Sequence, residues 1–402
     1  MTRGINDFKP ERLQQALAAR SLNQGQLAGL IGVSASTVSK WQSGSQSPEA
    51  EALDRLSATL GLESEWFTRP MSNKNLVPLF RSNALALVGA RKKLEARLEW
   101  AQDIALGLNE FVDFPTVNLP SRDFDDPEKI DNEEIELAAQ ECRDLWRLGR
   151  TPIADVALAV ESAGVIIIRE ETHISSIEGL SDWSDALQRP LIFLSADKAN
   201  GFRSRFDLAH ELAHLVLHKN IPRSNDRERH NLMEKQAHRF AGAFLLPAET
   251  FAEDIRLPVT LDNLLVLKQR WGVSVAAMLM RLEALGIIDD DAKLVLFKRR
   301  SARWGAKAEP GDDKWKPEQP RLLRRTVELL VNEGVMPPLS IPRHFGHFPH
   351  DVESLAGLRA GFFQDPGQVI ELATLRAASQ RVSPTVVTEK SADVMPFNRR
   401  KI

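Results

Sequence analysis

RFDLAHELAHLVLH, residues 205–218, sets three histidines at steps of four around one glutamate. A step of four is about one helical turn, so His210 and His214 share a face and both rings can reach one ion. Zinc is held by histidine nitrogen and keeps an open coordination position when three side chains bind it. Glu211 stands beside the pair, where a carboxylate can accept the proton of a zinc-bound water. This is H-E-x-x-H on a helix. The same letters also occur in ordinary surface helices laced with salt bridges, so the reading turns on a third ligand and a suitable scaffold. Ser204, with Asp207 three residues on, reads as a capping box that starts the helix.

Glu234 lies twenty residues after His214 and opens EKQAHRFAGAFLLP. Ala237, Phe240, Ala241, Phe244 and Leu245 form the buried face of that helix before Pro247. Packed against the histidine helix, it can turn the Glu234 carboxylate toward the same metal. The metzincin pattern needs a histidine six residues beyond His214, and that position is Asn220. His218 is eight residues from His210, about 12 Å along a helix axis, which is too far for easy shared ligation. It reads as a packing residue or as a support behind the ligands. Upstream, an acidic loop (Asp123, Asp125, Asp126, Glu128) leads to helices at about 133–148 and 153–162. VIII at 165–168 and LIFLS at 191–195 read as strands, an α+β arrangement. LIFLS could take an extended substrate by strand addition. Ser181 and Trp183 then stand at the cleft rim, or are ordinary core and loop residues.

The front of the chain is a helical block over 8–68. Pro10 suits a first turn, and Leu13, Ala16 and Leu17 share a face. Asn23 caps a second helix carrying Leu27, Ala28 and Ile31. Ser34 caps a third, with Val38 and Trp41 inward and Gly44 ending it. Ser47 and Pro48 start a fourth, with Leu53, Leu56 and Leu60 buried. LNQGQLAGLIGVSASTVSKWQSGSQSP, residues 22–48, resembles the Xre family of phage-repressor-like domains. The resemblance implies that the third helix enters the major groove of a double-stranded DNA operator, with Ala35, Ser36 and Thr37 near base edges and Gln24 and Lys40 near phosphates. Residues 1–70 hold seven basic and seven acidic side chains. Nonspecific attraction to DNA is then weak, and binding should depend on a homodimer spanning two half-sites.

Composition bounds the rest. The chain has 402 residues, 43% hydrophobic and 27% charged, with a net charge of −3. Cys142 is the single cysteine, which excludes a disulfide framework and a cysteine-based zinc site and points to the reducing cytoplasm. MTRGINDFKP has no apolar core, and no apolar run approaches the roughly 20 residues a bilayer needs, so no membrane role is expected. Thr68 to about Arg81 reads as a linker. A helix follows over 84–112, with Leu94, Leu98, Ala101, Ile104 and Leu108 at helical spacing and Arg91, Lys92, Lys93 and Arg97 as a basic cluster. It reads as an amphipathic connector, with a second DNA contact or a dimer seam as alternatives.

AHELAHLVLH, EKQAHRFAGAFLLP and LKQRWGVSVAAMLMRLEALGII together resemble the ImmA/IrrE family of zinc-dependent metallopeptidases, from about residue 80 to about 300. The resemblance implies zinc held by His210, His214 and Glu234, with Glu211 as base, and hydrolysis of a peptide bond. It also implies a repressor-like protein substrate and fusion to a DNA-binding domain. His238 departs from the asparagine usual in the family. Tyrosine is absent from the chain, so His230, His238 or Arg229 would have to supply any further oxyanion donor, with His218 in a supporting place.

The expected fold is mainly α with an α+β zincin-like domain. It divides into a helix-turn-helix bundle (1–70), a linker and connecting helix (71–120), a small-sheet metallopeptidase domain (121–300) and a helical C-terminal region (301–402) with a disordered tail from about Arg381. LKQRWGVSVAAMLMRL reads as a buttress. HFGHFPH puts His344, His347 and His350 at steps of three; Gly346 and Pro349 favour a loop over a second metal site. Two other functions stay open. One is a regulator whose zinc pocket senses without cleaving, and the other is the antitoxin of a toxin pair.

Overall fold

Pro10 supplies the preset φ of a first helical position, and α1 (Pro10–Ala19) begins there. Asn23 closes a capping box onto α2 (Gln24–Ile31), and the Ser34 side chain accepts from the Thr37 amide to start α3 (Ala35–Gln42). The fourth helix, α4 (Ala50–Leu60), starts two residues later than Ser47 and Pro48 suggest, with Glu49 at its N-cap. Leu13, Leu27, Val38, Trp41 and Leu56 close the small core between these helices. The computed structural model describes residues 4–71, 85–174, 177–222, 224, 226–305 and 307–364. The expected linker beyond Met71 and the tail from Arg381 lie outside the described residues.

The connecting helix is α5 (Leu85–Asn109). Its stripe of Leu94, Leu98, Ala101, Ile104 and Leu108 is fully buried against other parts of the same chain. The apolar face is therefore a core face, which leaves no dimer seam there. Of the basic cluster, Arg97 is buried in ion pairs with Glu170 and Asp351, and Lys93 donates to the Thr172 carbonyl at 2.9 Å. These two cations are committed to partners within the chain.

Two helices, α6 (Asn132–Leu145) and α7 (Val156–Ser162), precede a three-stranded sheet of β1 (Ile166–Glu170), β2 (Gly179–Ser184) and β3 (Arg189–Ser195). The order is β1-β3-β2, with β3 parallel to β1 and antiparallel to β2. Ile166, Ile168, Leu191 and Phe193 face one core, and Ile167, Ile192 and Leu194 face the other. Burial on both faces explains why VIII and LIFL are unbroken apolar runs. β3 is paired on both sides and has no edge to offer, so strand addition at LIFLS is corrected. Ser181 and Trp183 lie in β2, at the sheet edge, and the sequence had not marked this segment as a strand.

Against β2 and β3 packs α8 (Gly201–Leu217), and α9 (Arg227–Leu245) packs on α8. The capping box expected at Ser204 is not formed. Asn200 caps α8 by accepting from the Arg203 amide, and Ser204 Oγ instead accepts from Arg169 on β1. Glu234 does not open its helix either. Asp226 caps α9, which places Glu234 two turns in. Then come α10 (Ala248–Glu253), α11 (Leu261–Trp271), α12 (Val275–Ala284) and α13 (Asp290–Trp304). Trp271, Val275, Met278 and Leu282 are buried in the core that holds α8 and α9, so this pair buttresses the sheet domain.

The C-terminal region returns across both cores. Glu309 accepts from the Val275 and Ala276 amides that open α12, and Glu318 accepts from the Val156 and Ala157 amides that open α7. Both supply a negative charge where a helix presents unpaired N–H groups. The chain ends its described part with α14 (Leu322–Asn332), α15 (Ser340–Phe345) and α16 (Pro349–Leu355). HFGHFPH therefore spans the end of α15, a short connection at 346–348 and the start of α16, so the expected loop is there but is only three residues long. Gly346 has φ 77°, and a Cβ there would meet Trp66 at 3.0 Å. His347 is fully buried between Trp66 and Trp100, and burial pushes its imidazole down to about 3. His344 packs on Phe111, and His350 is exposed. The three do not form a ligand cluster.

Candidate metal centre

The four-residue step on α8 brings His210 Nε2 within 3.2 Å of His214 Nε2. α9 crosses α8 so that one Glu234 oxygen lies 3.5 Å from His210 Nε2 and the other 3.6 Å from His214 Nε2. Among the described residues these three are the group able to hold a metal ion. Tetrahedral bonds of about 2.0–2.1 Å put neighbouring ligand atoms about 3.3–3.4 Å apart, so a zinc-sized ion fits this donor set. Electrostatics agree. Burial works against the charged form of each group, yet the His210 and His214 rings hold Glu234 well below the usual carboxylate range. Glu234, Glu211 and Asp207 conversely outweigh burial and hold His210 above its ordinary value.

Glu211 is buried and leans the other way, toward β2. Ser181 Oγ donates to its Oε2 at 2.7 Å. Gly179 leaves the room for this approach, since a Cβ there would stand 3.0 Å from both Glu211 Cγ and Oε1. Sequence spacing does not disclose either contact, because thirty residues separate Ser181 from Glu211 and β2 has no unbroken apolar run to mark it. Trp183, two residues on, carries Lys219 Nζ at 3.4 Å above its ring.

The other residues marked in the sequence fall around this centre unequally. His218 is buried behind His214, with the two Nδ1 atoms 2.9 Å apart. Burial, then the neighbouring His214 charge, lowers it well below an ordinary histidine. His230 Nε2 lies 3.8 Å from Glu234. His238 packs its ring 4.5 Å from that of His210 and donates from Nδ1 to the Glu234 carbonyl at 2.8 Å. A cavity of about 700 Å³ opens beside Glu234 and His238, walled by Phe206, Ala277 and Met280 and rimmed by Arg227 and Lys235. Arg229 is drawn off to the acidic loop, donating to the Asp125 carbonyl at 2.9 Å, which removes it from the centre.

On the helix-turn-helix, Ala35, Ser36 and Lys40 are exposed on α3, Thr37 is half-buried and Gln24 is exposed at the start of α2. Ser34 Oγ lies 2.8 Å from both Ser36 Oγ and Thr37 Oγ1, so the start of α3 is tied to its own cap. Gln24 bonds Gln42, which joins the two helices at their outer surface.

Residues 160–283 match the family model of the IrrE N-terminal-like domain, a peptidase family, and residues 13–67 match the helix-turn-helix family model. No curated protein matches the chain. No helix among the described residues is long and apolar enough to cross a membrane. His210, Glu211, His214 and Glu234 all fall inside the first match, and α1 to α4 make up most of the second. The chain thus joins a helix-turn-helix domain of the DNA-binding, Xre-like kind to a metallopeptidase-like IrrE domain.

Proposed function

We propose that the chain is a DNA-binding regulator whose second domain is a zinc-dependent endopeptidase acting on a repressor-like protein. The observation that carries this is the convergence of His210, His214 and Glu234 next to a buried Glu211 carboxylate. His210 Nε2, His214 Nε2 and one Glu234 oxygen would hold the metal. Zinc, when bound, supplies a Lewis acid that lowers the pKa of a water and polarises a scissile carbonyl. Glu211 takes the proton, and Ser181 keeps its carboxylate aimed while one oxygen stays free to accept. The cavity beside Glu234 and His238 receives a substrate side chain, with apolar walls and a cationic rim that suit a long or acidic one.

Operator binding runs through α3 of a homodimer, since the balanced charge of residues 1–70 gives one copy little hold on phosphate. The test separates chemistry from binding. Glu211→Gln keeps zinc and operator binding and loses proteolysis; Glu234→Ala loses zinc and proteolysis together. Zinc content by elemental analysis and repressor cleavage in cells read the two arms. Unchanged cleavage in Glu211→Gln would sink the enzyme reading in favour of a non-hydrolytic zinc sensor.

A further inference from the structure

Behind the metal-facing side of His214 runs a chain of hydrogen bonds whose direction is forced. Gln236 is buried, and its side-chain nitrogen lies 2.7 Å from the Pro127 carbonyl and 2.9 Å from the Ile130 carbonyl. Carbonyls only accept, so this atom is the NH₂ and the other is the oxygen, which fixes the amide orientation by its partners. The Gln236 oxygen lies 3.1 Å from His218 Nε2 and must accept, so His218 Nε2 carries a hydrogen. One hydrogen then sits between His218 Nδ1 and His214 Nδ1, 2.9 Å apart. On His218 it would make a buried imidazolium with no carboxylate against it, which is costly. It therefore sits on His214 Nδ1, and in the neutral ring, the form that binds metal, His214 Nε2 then carries the bare lone pair facing His210 and Glu234.

We infer that His218 and Gln236 are positioning residues that set the tautomer of His214, so that its Nε2 is ready to bind metal before any metal arrives. The inference rests on the metal-centre reading above and adds to it a relay from α9 through the end of α8. Outer partners of a ligand histidine typically change metal affinity 10- to 100-fold when removed. The relay also explains why a third histidine stands at a four-residue step without reaching the ion.

The test uses the full chain. Nitrogen-15 NMR of the metal-free protein reads each imidazole directly, and the relay requires His214 protonated at Nδ1 and His218 at Nε2. His214 protonated at Nε2, or a mixture of both forms, overturns it whether or not the protein binds zinc. Zinc titration gives the second arm. His218→Leu should bind zinc 10- to 100-fold more weakly, and His218→Gln, whose amide offers one acceptor and one donor, should recover most of the loss. Equal affinity in wild type and His218→Leu would also overturn the relay. A wild type that binds no zinc would remove the metal reading alone, because the tautomers are read without metal.

Discussion

Gly179 and Glu211 show how closely single residues are fitted. A methyl group at 179 would press on the Glu211 side chain at 3.0 Å and on the Phe193 carbonyl at 3.1 Å. Glu211 is the softer neighbour, so it moves. Gly179→Ala should therefore leave zinc content unchanged and lower cleavage about 10- to 100-fold, since a displacement near 1 Å at a reacting group has costs of that order. Zinc content and cleavage rate measured on the same preparation check this, and an unchanged rate would show that the carboxylate is not held by β2. The candidate ligands themselves were readable from spacing, because a four-residue step on a helix is a local fact. Glu234 was readable as an acid in the right vicinity, while its depth inside α9 was not. That depth depends on Asp226, which takes the Glu228 and Arg229 amides and starts the helix early.

At the level of elements, caps divide into those satisfied by neighbours in sequence and those satisfied across the fold. Asn23 and Ser34 cap as their letters suggest, because each partner lies three residues away. Ser204 does not, because Arg169 on β1 claims its hydroxyl and Asn200 is free to cap. The cap of α3 bears on the proposed DNA contact. Ser36 and Thr37 share the Ser34 hydroxyl and still face outward, so replacing both with alanine should weaken binding to the operator more than binding to random duplex. Competition binding at fixed salt measures the ratio. An equal loss for every sequence would make these residues positioning groups and not base readers.

Across the whole molecule, the helix-turn-helix is fastened to the sheet domain through buried charge. Asp351 on α16 lies 2.5 Å from Arg20 at the end of α1 and 2.5 Å from Arg97 on α5, and Arg97 also pairs with Glu170 on β1. Burial opposes ionisation of Asp351, but the two guanidiniums outweigh it and hold its pKa at about 2, below the ordinary 3.8. A carboxyl depressed in the folded state adds stability above its unfolded pKa and loses it as pH falls through the folded one. Removing one partner of a buried pair costs about 3–5 kcal/mol. Asp351→Asn should then unfold at lower denaturant than wild type at neutral pH, with the gap shrinking between about pH 4 and pH 2. A constant gap over that range would show that the loss is one of packing and not of charge.

What the sequence by itself determined is local: the helix-turn-helix caps, the apolar stripe of α5, two of the three strands and the shared face of His210 and His214. The helical features follow from a period of about 3.6 or from contacts within one helical turn, and the two strands from short unbroken apolar runs. The tertiary structure alone decided what joins distant segments. It put β3 inside the sheet, brought Ser181 and Gly179 of β2 to Glu211, ran Gln236 and His218 behind His214, and spent His347 on packing between Trp66 and Trp100. Such contacts depend on how α8, α9 and the sheet cross, and a crossing is set by the summed packing of many side chains, so no short stretch of letters encodes it.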